Sequence, residues 1–143
     1  MLARASEASG VHVVAATGFN KAKFADRISS RMTTGEIAAW MTAEVRDGIE
    51  GGGRAGLIKA ASSLNGAGEH ERRVFEAATE AHAATGAPVG THTEKGTWAD
   101  GQIALLTGRG VPAASILIGH LDLNPDIAHL RDVAASGVHM GFD

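Results

Sequence analysis

The sequence predicts an α/β protein built from about five parallel strands with four intervening helices. Two observations point there. Short apolar runs alternate with helical patterns along the whole chain, and most runs are apolar on consecutive residues, as in strands covered on both faces. Strand–helix alternation of this kind produces either a barrel or an open doubly wound sheet.

The predicted elements follow in order. Residues 2–9 read as the tail of a helix. The first strand is expected over Val11 to Ala16, after Gly10. Thr33 can cap the next helix with Glu36 at the third helical position, a capping-box spacing. Its apolar stripe is Ile37, Met41, Val45 and Ile49, and Gly51 to Gly53 stop it. The second strand spans Ala55 to Ala60. A helix from Glu69 to Thr85 buries Val74, Ala78 and Ala81 and ends at Gly86. The third strand spans Ala87 to Thr91, and a helix from Trp98 to Thr107 uses Ile103 and Leu106. The fourth strand is Ser115 to Gly119. Asn124 caps a last helix with Pro125 in its first turn, which buries Ile127 and Leu130 and stops at Gly137. The fifth strand is Gly137 to Phe142.

A complete eight-stranded barrel needs about 250 residues. With 143 residues and five strands, the expectation is a single partial domain over 1–143, truncated at both ends. The composition is that of an ordinary soluble chain, with 44% apolar residues, 20% charged residues and a glycine surplus. A net charge of −3 without a dense basic face argues against nucleic-acid binding. The absence of cysteine excludes disulfide scaffolds and thiolate zinc sites. No apolar run is long enough for a membrane span. Residues 1–7 carry charges where a signal peptide needs an apolar stretch, so a cytoplasmic location is expected.

Chemistry in parallel α/β architectures gathers at the carboxyl ends of strands. Lys59, His92 and His120 end the second, third and fourth predicted strands. Imidazole is a common ligand for divalent metals, whereas lysine becomes one only after its neutral amine captures carbon dioxide as a carbamate. A lone strand-end histidine or lysine is more often structural. Three at equivalent positions balance a metal site evenly against the structural reading. His12 and His139 read as structural residues within strands, and His70, His82 and His129 as solvated helix residues. Residues 51–56 match GxGxxG but precede a strand, so they are not a dinucleotide loop.

Five ordered segments carry a family resemblance: VHVVAATGF at 11–19, GIEGGGRAGLIKAASS at 48–63, TGAPVGTHTEKGT at 85–97, ILIGHLDLNPD at 116–126 and GVHMGFD at 137–143. Together they resemble the phosphotriesterase-like branch of the amidohydrolase superfamily, which includes phosphotriesterases and lactonases. The resemblance implies strands three to seven of a TIM (β/α)8 barrel with a two-metal centre. It implies that Lys59 is the carbamylated lysine bridging the metals, and that His92 and His120 bind the more exposed one. The ions would be divalent, zinc first, with manganese, cobalt or iron also compatible. A His-x-His strand and a further aspartate complete the family's site, and neither segment is in this sequence.

Phe19, Asn20 and Asp143 match positions that border the substrate pocket. Asp122 is either support for a histidine ligand or polar loop filling. Leu123 stands where phosphotriesterases proper carry a second carboxylate, so a lactone or sugar lactone is expected ahead of an organophosphate triester. Two cations would activate a water and polarise the substrate's carbonyl or phosphoryl oxygen. The isolated chain is expected to be inactive, and its partners to be a small-molecule ester, with a homo-oligomer or another chain supplying the missing strands. The competing reading is a non-catalytic α/β binding or interaction module.

Overall fold

The computed structural model describes residues 2–24, 29–50 and 52–143. Helix α1 (Leu2–Ser9) precedes β1 (Ala16–Gly18). Then come α2 (Thr34–Arg46), β2 (Leu57–Ala61), α3 (Glu69–Thr85), β3 (Val89–His92), α4 (Ala99–Thr107), β4 (Ile116–Gly119), α5 (Ile127–Ala135) and β5 (His139–Met140). All pairings are parallel, and the strands lie in sequential order from β1 to β5. A doubly wound sheet reverses its order at a switch point, whereas a barrel wall does not. The fold is therefore a partial TIM barrel wall with four helices between its five strands.

Burial alternates along β4 and the first four residues of β2. Ile58, Ala60, Val89, Ile116 and Ile118 are fully buried, while Leu57 and Lys59 are half-buried and Leu117 is 39% exposed. The face bearing Leu57, Lys59 and Leu117 is therefore the open one, as expected of the inner face of a partial barrel. In a closed barrel that face is packed by side chains of the strands opposite, which accounts for its apolar residues.

The core lies on the other face. Ile37 and Met41 of α2 join Val74, Phe75, Ala77, Ala78 and Ala81 of α3 and Leu106 of α4 in one cluster against the strands. Burying Phe75 alone contributes about 2–3 kcal/mol. The Thr33 capping box is present, with Glu36 N–H donating to Thr33 Oγ1 and Thr33 N–H to Glu36 Oε2. Helix α3 ends on Gly86 at φ 74°, a left-handed cap that favours glycine. No helix among the described residues is long and apolar enough to cross a membrane.

Several local expectations are corrected. The first strand covers Ala16–Gly18, and not Val11 to Ala16. A strand needs a ladder partner, and the register Ala16↔Leu57 leaves residues 11–15 opposite the loop that precedes β2. Val11, Val13 and Val14 are exposed in consequence, and His12 lies outside any strand. Helix α2 stops at Arg46, so Ile49 falls in the following turn, where its N–H donates to Gly53 O. Gly51, part of the predicted stop, lies outside the described residues. Asp126, not Asn124, caps α5: its Oδ1 accepts from Ala128 and His129 N–H, while Asn124 Oδ1 accepts from Asp126 N–H in the preceding turn. Ile127 is 58% exposed, and Val133 is the buried residue of α5. His82, expected to be solvated, is tied through Nδ1 to Ala87 O at 2.9 Å.

The loops above the strands are held by a residue that periodicity does not reveal. Glu71, in the first turn of α3, is 1% exposed. Its Oε1 accepts from Ala22 N–H at 3.0 Å and from Ser63 Oγ at 2.6 Å. Its Oε2 accepts from Gly68 N–H at 2.9 Å and from Ser63 N–H at 3.2 Å. Burial pushes this carboxyl up, but the bonds from Ser63, Ala22 and Gly68 outweigh it and hold the pKa below its ordinary value. A carboxylate with a depressed folded pKa stabilises the fold above its unfolded pKa, and that contribution is lost as pH falls through the folded value. Glu71→Gln turns an N–H₂ toward donor groups and should lower the unfolding free energy by roughly 2–3 kcal/mol at neutral pH. Urea unfolding should also show the variant losing less stability than the unaltered protein on acidification below pH 4.5.

Candidate functional site

The register decides which side chains meet. Lys59 pairs with Gly90, and Ala61 with His92, so Lys59 and His92 share the open face two residues apart in depth. Lys59 is the third residue of β2 and not its end, as the sequence suggested. Two residues along a strand are about 6–7 Å, a gap that the flexible four-carbon stem of lysine can bridge. Gly90, beside Lys59, leaves space for Leu57 on the same face, since a Cβ there would come within 2.9 Å of the Leu57 side chain. Gly18, at φ 101°, lets β1 approach so closely that a Cβ would sit 2.2 Å from Lys59 O.

His92 closes β3, and its ring stands edge-on to that of His120, with centroids 4.5 Å apart. His120 follows β4 in the left-handed conformation, at φ 62° and ψ 31°. A non-glycine residue held there stores about 1–3 kcal/mol, and such strain concentrates at functional sites. Asn65, Lys95 and Trp98 share this conformation, all after the carboxyl ends of β2 or β3.

His120 Nδ1 is paired with Asp143 Oδ2. Asp143 is held in turn by its own N–H, which donates to Asp122 Oδ1 at 3.1 Å. The predicted residues Asp122 and Asp143 thus form one chain of contacts leading to His120 and leave its Nε2 as the ring's other nitrogen. Phe19 N–H donates to Lys59 O at 3.2 Å, while its ring packs edge-on against Trp40 of α2 with centroids 6.2 Å apart. Asn20 is exposed on the rim, its Oδ1 accepting from Lys21 N–H.

Charge couples the cluster. Burial first, then the neighbouring His120, Lys21 and Lys59, lowers the His92 pKa to about 4 against a smaller opposing pull from Asp143. Burial also lowers the Lys59 pKa, with Asp143 opposing it. A neutral imidazole is the form that metal ligation requires, and a lowered amine pKa is the direction that carbamate formation requires. His92 Nε2 is buried and has no hydrogen-bond partner among the described residues, which fits a ligand atom. Among those residues no three His, Cys, Asp or Glu side chains gather as a complete ion site, so a cation here would rest on the two imidazoles and a modified Lys59.

Sequence reasoning missed the supports. Thr93 is fully buried, and its Oγ1 donates to Gly119 O at 2.8 Å, just before His120. Thr91 Oγ1 donates to Gln102 Oε1, and Gln102 Nε2 donates to Ser62 Oγ at 2.7 Å and His92 O at 3.0 Å. Lys21, 5% exposed, forms an ion pair with Glu94. The flanking threonines of Thr91-His92-Thr93 were the available signal, since two hydroxyls beside a candidate ligand need partners when buried.

Comparison with known proteins gives consistent results. The model of the phosphotriesterase family matches residues 1–143. A phospho-furanose lactonase of Mycoplasmopsis synoviae is 32% identical over 99% of this chain and 44% of its own length. The crystal structure of the lactonase Lmo2620 from Listeria monocytogenes superposes with a TM-score of 0.93 at 30% identity, over 99% of this chain and 49% of that one. Organophosphorus hydrolase from Deinococcus radiodurans gives a TM-score of 0.87 at 39% identity, over 97% and 44%. The chain spans about half the length of the curated relatives it matches.

Because His92 has a folded pKa near 4 and an ordinary value of 6.5, the unfolded chain binds the extra proton between those pH values. Stability should therefore fall as pH drops from 6.5 to 4. In NMR spectra of metal-stripped protein, the His92 ring should remain neutral at pH 5.5.

Proposed function

Because the chain belongs to the phosphotriesterase family, we propose that it supplies part of the active centre of a metal-dependent hydrolase whose substrates are lactones, sugar lactones before organophosphate triesters. The observation that carries this reading is the joint setting of Lys59, His92 and His120. His92 is held neutral with a buried, unpartnered Nε2, His120 stands 4.5 Å from it in a strained conformation, and burial lowers the Lys59 pKa from its ordinary value. The lactonase names borne by relatives at 32% and 30% identity support the substrate class. Leu123, where a carboxylate would favour triester chemistry, supports it further. The organophosphorus hydrolase at 39% identity keeps the triester as the rival substrate.

In this reading Lys59, His92 and His120 would contribute ligands to divalent ions, zinc or else manganese, cobalt or iron. When bound, they lower the pKa of a water and polarise the carbonyl oxygen of the ester. The chain's own residues prepare that chemistry. The neutral Lys59 amine adds to carbon dioxide, forming an N–C bond and releasing one proton, and the resulting carbamate oxygens are anionic donors. His92 offers Nε2 without proton competition near neutrality. Asp143 accepts from His120 Nδ1–H, which fixes the tautomer with Nε2 as the donor atom, and Asp122 keeps Asp143 in line. Asn20, on the loop above β1, would border the substrate, while Phe19 acts there through its backbone, its ring being packed against Trp40.

Metal analysis and hydrolysis assays on the purified full-length protein test this. Joined to the barrel half that its relatives carry beyond the matched segment, the chain is expected to hold at least one transition-metal ion and to turn over lactones at least tenfold faster than triesters, whereas the 143-residue chain alone should show negligible turnover. Lys59→Ala, His92→Ala and His120→Ala should each reduce metal content and lower turnover by more than about 100-fold. Unchanged metal content in all three variants would sink the site and favour a non-catalytic module, and faster triester turnover would reverse the substrate order.

A further inference from the structure

We propose that Gln102 is a positioning residue of this centre, setting the separation of Lys59 and His92 by cross-linking the carboxyl ends of β2 and β3 from α4. The inference rests on the metal-site reading above and deepens it. Gln102 is fully buried, and its amide is fully engaged. Oε1 accepts from Thr91 Oγ1, and Nε2 donates to Ser62 Oγ and to His92 O.

These partners are the residues on which the site geometry turns. Ser62 follows β2 directly, three positions after Lys59, and Ser62 N–H donates to the same His92 O at 3.0 Å. Thr91 and His92 are the last two residues of β3. One side chain thus joins the strand of the amine to the strand of the imidazole at the level of His92, two residues above Lys59. A glutamine alone among side chains of this size offers an acceptor and two donors in one plane. Glutamate would set carboxylate oxygens against His92 O and Ser62 Oγ. Leucine would fill the volume without a bond. Because Ser62 N–H would still hold His92 O, losing Gln102 should loosen the pair without unfolding the strands. Second-layer contacts of this type typically change metal affinity 10–100-fold.

The test uses cobalt(II) as the probe on the full-length, metal-stripped protein, with affinity and the visible absorption band as readouts. Gln102→Leu should weaken cobalt binding by about 10–100-fold and shift the band. Thr91→Val, which keeps the shape and removes the hydroxyl that orients the amide, should weaken binding about threefold to tenfold and gives the answer if the leucine variant does not fold. Val133→Ala, a buried α5 control, lowers stability without touching the network and should leave affinity within twofold. Equal weakening by the control, or unchanged affinity and band in both Gln102→Leu and Thr91→Val, overturns the positioning role alone. Failure of the unaltered protein to bind cobalt overturns the metal site and the positioning role together.

Discussion

The register of β2 against β3 is the constraint from which the rest of the site follows. Side chains alternate between the faces of a sheet, so a slip of one residue would send Lys59 into the helix-side core and bring Ile58 or Ala60 to the open face. The apolar burial of Ile58, Ala60 and Val89 opposes such a slip at every step. Core packing on one face thereby fixes polar chemistry on the other. The same logic extends to β4, where buried Ile116 and Ile118 hold Gly119 beside His92 and set the point at which His120 turns.

Where the strands end, buried polar groups take over from apolar packing. Loops cannot satisfy their backbone donors through a ladder, so they need side-chain partners or water. Glu71 gathers the loops after β1 and β2 and the start of α3 around one carboxylate. Thr93 ties the loop after β3 to the end of β4, and Asn124 reaches back from the next loop to Gly96 O at 3.3 Å. Gly96, at φ 67°, permits that approach, since a Cβ would lie 2.7 Å from Asn124 Cβ. Each loop above the sheet is therefore anchored to a neighbour, which suits a surface that must hold side chains to fixed geometry.

The strained His120 and the neutral His92 express one arrangement in two ways. Packing two imidazoles and a lysine into a half-buried space disfavours positive charge, and His92 bears most of that effect. Asp143 opposes it at Lys59 and is paired with His120 Nδ1. Burial and the neighbouring charges thus keep the His92 imidazole free of its extra proton near neutrality.

Local patterns made much of this molecule legible. The Thr33–Glu36 capping box, the Glu69–Thr85 helix, its Gly86 stop and the order of strands and helices are all properties of neighbouring residues, and the sequence alone determined them. So was the recurrence of Lys59, His92 and His120 near successive strand ends, because that follows from the βα period. What only the tertiary structure decided are relations across the period: the short β1, whose extent depends on where β2 begins, and the attachment of Asp143 to His120. The Glu71 and Gln102 networks belong with these, joining partners up to 49 residues apart. Periodicity records which side of its own element a residue faces, but a hydrogen bond between elements depends on their three-dimensional register, which no local window contains.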